Sequence, residues 1–138
     1  MSAAMAKTVL IVEDNADTSE VLRKVFLANG YDVVSAADAV QGAQFAQSRP
    51  PDIVILDYQM PAGTGASVYR RIRANPRTTA VPVIFVSGTA NTDEISQILS
   101  ADPKSRFFPK PVKVTKLLEL VEQFLSEEGP PEGPLELD

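Results

Sequence analysis

Apolar residues arrive in this chain as short blocks of strand length, and each of the strongest blocks ends on a polar or charged side chain. Thr8-Val9-Leu10-Ile11-Val12 runs into Glu13-Asp14-Asn15, and Ile53-Val54-Ile55-Leu56 runs into Asp57. Val81-Pro82-Val83-Ile84-Phe85-Val86 is followed by Ser87, and Ser105-Arg106-Phe107-Phe108 by Pro109-Lys110-Pro111. A less apolar block, Asp32-Val33-Val34-Ser35-Ala36, suits a position nearer a sheet edge. Unbroken apolar runs bounded by proline, glycine and charge are characteristic of strands buried on both faces of a parallel sheet.

Between the blocks the apolar spacing changes to that of helices resting on a sheet. A helix is predicted from about Ala16 to Asn29, carrying Val21, Leu22, Val25 and Phe26, with Asn15 or Asp17 as N-cap and Asn29-Gly30 as the stop. An alanine-rich helix through Val40, Ala43 and Phe45 follows, weakened by Gly42 and ended by Arg49-Pro50-Pro51. Met60-Pro61-Ala62-Gly63-Thr64-Gly65 reads as a loop, and a helix from about Ser67 to Ala74 buries Val68 and Ile72. Arg70, Arg71 and Arg73, with Arg77 after them, read as a solvated face. Two more helices are predicted, at Asn91 to Leu99 (Ile95, Ile98, Leu99) and at Val114 to Ser126 (Leu117, Leu118, Val121, Phe124, Leu125).

Five consecutive βα units with short connections give an α/β fold, a doubly wound five-stranded parallel sheet of flavodoxin-like order 2-1-3-4-5. A closed barrel needs eight such units. The expected organisation is a flexible N-terminus at 1–6, one domain at 7–126, and an acidic tail rich in proline and glycine at 127–138. The chain leaves no room for a second domain after the last helix, so a stand-alone or excised domain is expected.

Composition narrows the chemistry. The 138 residues include no cysteine and no histidine. Disulfides, thiolate or imidazole metal sites, cysteine nucleophiles and histidine bases are thereby excluded. A formal charge of -5 and a pI of about 4.7 speak against direct nucleic-acid binding. The sequence shows neither a membrane-spanning apolar run nor a secretory signal, so the cytoplasm is the default location.

A parallel sheet brings Glu13, Asp14, Asp57, Ser87 and Lys110 to one edge, beyond the carboxyl ends of the strands. Clustered carboxylates repel one another unless a cation neutralises them. With oxygen donors alone, magnesium or manganese fits ahead of zinc. Lys110 can hold an anionic oxygen, Ser87 offers a hydroxyl, and Asp57 is placed to attack phosphorus, giving an aspartyl phosphate.

From about Lys7 to Phe124 the chain resembles the receiver domain of two-component response regulators, of the stand-alone, chemotaxis-regulator-like kind. The matching pieces are Ile11-Val12-Glu13-Asp14-Asn15, Asp57-x-x-Met60-Pro61 with Gly65, Pro82-Val83-Ile84 leading to Ser87, and Lys110-Pro111. The resemblance implies that Asp57 is the phosphoacceptor and Asp14 a direct metal ligand, with Glu13 positioning the ion and the Gln59 carbonyl a further ligand. It implies that Ser87 and Lys110 contact the phosphoryl group and that Ser87 and Phe107 act as switch residues. A histidine kinase or histidine phosphotransfer protein would be the donor, and an unidentified protein the target. Many relatives dimerise through the fourth helix, fifth strand and fifth helix. Thr64 stands where an acidic residue often precedes Gly65, and Gly88 where alanine is commoner. Pro103-Lys104-Ser105-Arg106-Phe107 replaces the usual Gly-Ala-x-x-aromatic run, and Phe107 lacks a tyrosine hydroxyl, so a switch there works by packing alone.

Two alternatives belong to other classes. One is a phosphorylation-independent interaction module with this fold, against which the intact acid pair, Asp57 and Lys110 argue. The other is a phosphohydrolase resembling haloacid dehalogenases, but those carry Asp-x-Asp after the first strand. Here the nucleophile follows the third strand, and Tyr58-Gln59 supplies no second acid.

Overall fold

The computed structural model describes residues 6–60, 63–88 and 92–126. Most of the 1–6 terminus, Pro61, Ala62, Thr89 and the 127–138 tail lie outside the described residues. The elements are β1 (Thr8–Val12), α1 (Ala16–Ala28), β2 (Asp32–Ala36), α2 (Ala39–Ser48), β3 (Ile53–Asp57) and α3 (Gly65–Ala74). β4 (Val83–Ser87), α4 (Asp93–Ala101), β5 (Ser105–Pro109) and α5 (Val114–Leu125) complete the fold. The strands form one parallel sheet in the order β2-β1-β3-β4-β5, as expected.

The sheet is apolar on both faces because alternate residues of each strand feed two cores. Val9, Ile11, Ile53, Ile55, Ile84, Val86 and Phe108 pack with Leu22 and Phe26 of α1 and Leu117, Leu120, Val121 and Phe124 of α5. Leu10, Val12, Val54, Leu56, Val83 and Phe85 face α2, α3 and α4 through Ala39, Ala46, Val68, Ile72 and Ile95. Asp57, two residues beyond Ile55, falls by strand parity on the α1/α5 side.

Several local expectations are refined. Asn15, not Asp17, caps α1, its Oδ1 accepting the Thr18 N–H at 2.9 Å. Gly30 takes φ +90° after the C-cap, a backbone that suits glycine. Val21 and Val40 are each 50% exposed, because the inward stripes run through Leu22–Phe26 and through Ala39, Gly42, Ala43 and Ala46 instead. Within the expected loop, Gln59–Met60 pairs antiparallel with Gly63–Thr64.

Gly42 sits mid-helix for a packing reason. A Cβ there would lie 2.9 and 3.0 Å from the two methyls of Val12, a fully buried β-branched residue with little freedom to yield. Gly42→Ala should therefore destabilise the fold by about 1–2 kcal/mol, although alanine favours an isolated helix by about 1 kcal/mol. Urea unfolding tests this, and a stabilised variant would show that α2 can lift off β1 freely.

Candidate functional site

The site is built from strand ends. Pairing of Asp57 with Val86 and of Ser87 with Pro109 sets β3, β4 and β5 to finish at nearly the same level. The Glu13 N–H donates to the Ala36 carbonyl at 3.0 Å and continues β1 by one residue into the same edge. The Lys110 N–H donates to the Ser87 carbonyl at 2.9 Å, so the lysine leaves β5 directly over the carboxylates.

Lys110 Nζ lies 3.2 Å from Asp57 Oδ2 and 3.1 Å from Glu13 Oε1. Glu13 and Asp57 are 5% and 4% exposed, whereas Asp14 faces solvent. One oxygen from each of Glu13, Asp14 and Asp57 can be chosen so that all three lie within 4.8 Å of one another. The Asn15 N–H donates to Glu13 Oε2 at 3.1 Å, and the Gln59 N–H to Asp57 Oδ1 at 3.2 Å. Gly65 makes the tight return after Asp57 sterically feasible. A Cβ on it would stand 2.6 Å from the Asp57 carbonyl oxygen and 2.9 Å from the Tyr58 Cα.

Two forces oppose charge on Asp57. Burial strips water from its carboxylate, and the neighbouring Glu13 carboxylate repels it, so its pKa is pushed up to about 7 despite Lys110. Lys110 shows the reverse balance. Burial disfavours its charge, but the hydrogen bond to Glu13 and the charge of Asp57 outweigh burial and raise its pKa. Three carboxylates against one ammonium leave the pocket under-neutralised, and every donor is a hard oxygen. That donor set fits Mg2+ and offers nothing to a soft metal.

Sequence reasoning brought Glu13, Asp14, Asp57 and Lys110 together, and the structure does too. Ser87 closes β4 at the same edge, 2% exposed. Gln59 stands in the short ladder just beyond Asp57. Phe107 lies in β5 opposite Phe85, half-buried against the α3/α4 core. Tyr58, the residue after Asp57, and Glu94 carry no signal in the sequence pattern, yet their side chains join at 2.6 Å. Arg70 and Arg73, expected on a solvated face, are both paired, Arg70 with Glu94 and Arg73 with Asp102. Only adjacency to Asp57 could have drawn attention to Tyr58, since these pairs span 24 to 36 residues.

Comparison with known proteins agrees with this geometry. The response regulator receiver domain family matches residues 9–122. The chain belongs to that family. The polar-differentiation response regulator DivK of Brucella ovis is 25% identical over 123 residues, covering 89% of this chain and 99% of that protein. The receiver domain of the Pseudomonas aeruginosa sensor histidine kinase PA1611, solved with a magnesium ion in its active-site cleft, superposes with a TM-score of 0.75. It is 27% identical over 86% of this chain and 96% of that one. Vibrio cholerae chemotaxis protein CheY4 gives a TM-score of 0.78 at 26% identity, covering 88% of this chain and 100% of that one.

The acid cluster with Lys110 is therefore the Mg2+-dependent phosphoacceptor centre of a receiver domain. Such a domain catalyses its own phosphorylation and dephosphorylation and signals by changing conformation, without turning over substrate as an ordinary enzyme does. Among the described residues no helix is long and apolar enough to cross a membrane.

The raised Asp57 pKa has a signed consequence for stability. Between its unfolded value near 4 and its folded value of about 7, the folded state keeps a proton that the unfolded chain has lost. Its stabilising contribution is complete below pH 4 and disappears as pH rises through 7. Without divalent cations, unfolding free energy should fall by about 1–3 kcal/mol across that window. Asp57→Asn should flatten the fall and be the more stable protein above pH 7. Denaturant titrations with and without Mg2+ test this, and a wild-type profile as flat as that of Asp57→Asn would contradict it.

Proposed function

We propose that this receiver takes its phosphoryl group from the phosphohistidine of a histidine kinase or histidine phosphotransfer protein, with residue roles set by the strand-end geometry. The observation that carries the reading is Lys110 Nζ bridging Asp57 and Glu13 at 3.2 and 3.1 Å at the mouth of an all-oxygen pocket.

An Asp57 carboxylate oxygen attacks phosphorus, the bond from phosphorus to the donor imidazole nitrogen breaks, and that nitrogen leaves with the electron pair. Lys110 is placed to hold an anionic phosphoryl oxygen as charge shifts from donor to acceptor. Ser87 would donate its hydroxyl to another. When bound, Mg2+ neutralises the carboxylates and the transferring oxygens; Asp14, Asp57 and the Gln59 carbonyl would hold it, with Glu13 positioning it. Because Asp57 is 4% exposed, the donor must present phosphorus at the sheet edge itself.

An apolar cavity of about 310 Å³ lined by Val21, Leu22, Val112 and Val114 opens beside Lys110 between α1 and the start of α5. It offers the donor protein a footing next to the reacting atoms and gives half-exposed Val21 a role. Phosphorylation would then draw Ser87 inward, shift Phe107 by packing, and alter the α4-β5-α5 face that a target protein or a second copy reads. Residues 7–126 would form the signalling unit.

Acetyl phosphate with Mg2+ should add one phosphoryl group to the wild-type protein, located on Asp57 by mass spectrometry, and none to Asp57→Asn. Lys110→Gln should label more slowly by on the order of 100-fold, from loss of a preorganised charge. Comparable labelling of Asp57→Asn would overturn the assignment of the acceptor.

A further inference from the structure

α4 is joined to α3 by two polar clusters of unequal strength, one at each end. At its amino end Glu94 accepts the Tyr58 hydroxyl on Oε1 at 2.6 Å and pairs through Oε2 with Arg70 Nη2 at 2.6 Å. Both ionic partners are open to water, with Arg70 60% and Glu94 35% exposed. At the carboxyl end Asp102 Oδ2 accepts the Tyr69 hydroxyl at 2.6 Å and Arg73 Nε at 2.9 Å, and these side chains are 16–18% exposed for the ion pair. Arg73 also donates to the Val81 carbonyl and stacks over the Tyr69 ring. The Lys104 N–H donates to the other Asp102 oxygen.

These two ends differ in what it takes to break them. An exposed ion pair contributes at most about 1 kcal/mol, whereas removing a partner from a largely buried, multiply bonded carboxylate costs several. Hydrophobic contact is thin along the whole of α4: among its described residues only Ile95, beside Glu94, is fully buried, with Ile98 and Leu99 partly buried against the same core, whereas α5 buries four. The weak end is also the end nearest the chemistry. Tyr58 is the residue after Asp57, and its main chain is fixed on both sides. Its N–H donates to the Val86 carbonyl at 3.0 Å, and its carbonyl accepts the Gly65 N–H at 2.7 Å. The Tyr58 side chain therefore reports from a rigid base beside Asp57 to the first turn of α4, and that turn is the far end of the connection that begins at Ser87.

We propose that Tyr58, Glu94 and Arg70 form a releasable clasp that holds α4 in the unphosphorylated position, and that α4 pivots about its Asp102 anchor when the clasp opens. Glu94 and Tyr58 are thus positioning residues for the switch. They set the cost of drawing Ser87 toward a phosphoryl group on Asp57. The inference rests on the receiver reading above and assigns the restraint to named side chains.

Calorimetric titration of beryllofluoride, a phosphoryl mimic, into the full chain with Mg2+ tests both levels separately. Arg70→Gln should bind about two- to fivefold and Tyr58→Phe about three- to tenfold more tightly than wild type, and the double variant should fall short of the product of the two because they break one clasp. Asp102→Asn should lower thermal stability without tightening binding. In wild type, beryllofluoride should speed hydrogen exchange at the Ile95 and Ser96 amides and leave the Ser105 amide, bonded to the Asp102 carbonyl, protected. A wild-type chain that does not bind the mimic would remove the receiver reading and the clasp together. Variants that bind no more tightly than a wild type that does bind would overturn the clasp alone, as would Asp102→Asn tightening binding equally.

Discussion

The ammonium of Lys110, held between two nearly buried carboxylates, is the contact on which the rest of the molecule depends. Glu13 comes from the end of β1, Asp57 from the end of β3 and Lys110 from just beyond β5, so the triad exists only when three strands are in register. One lysine cannot neutralise three acids. The fold therefore supplies a pocket with a standing deficit of positive charge, which raises the Asp57 pKa and makes room for a divalent ion and an incoming phosphoryl group. Charge is placed where apolar packing on both faces of the sheet forces it to remain.

That packing is firm near the site and looser towards α4. β1, β3 and β4 are buried almost residue for residue, and α1 and α5 clamp them from one side. On the other side α2 approaches β1 so closely that Gly42 has no space for a Cβ, and α3 begins at Gly65 pressed on the main chain of Asp57 and Tyr58. α4 is the exception, held by one fully buried isoleucine, by the partly buried Ile98 and Leu99, and by polar ties. A molecule that must answer to a single added phosphate needs a rigid acceptor and one element of low local stability, and both are present here.

The fold was legible because strand blocks ending on acids leave little choice of topology. Val9 to Val12, Ile53 to Leu56 and Val83 to Val86 are apolar at every position, which only a two-sided parallel sheet accommodates. The carboxylates and Lys110 followed from strand ends meeting at one edge. Helix faces were less legible. Val21 and Val40 are apolar yet half exposed, and Leu120 is buried without having stood out, since small inward residues such as Ala39, Ala43 and Ala46 carry the α2 stripe. Least legible were the ion pairs. Arg70 and Arg73 look alike on a helix, and only the placement of Glu94 and Asp102 on a neighbouring helix gives one an exposed partner and the other a sheltered one.

Buried, mutually repelling carboxylates at the sheet edge are poised for a cation and a phosphoryl group. Carboxyl carbon NMR across a pH titration, with Asp residues labelled, reads this directly. Asp57 should titrate near 7 without divalent cations and fall below the ordinary aspartate range when Mg2+ saturates the site. An Asp57 signal titrating near 4 under both conditions would contradict it.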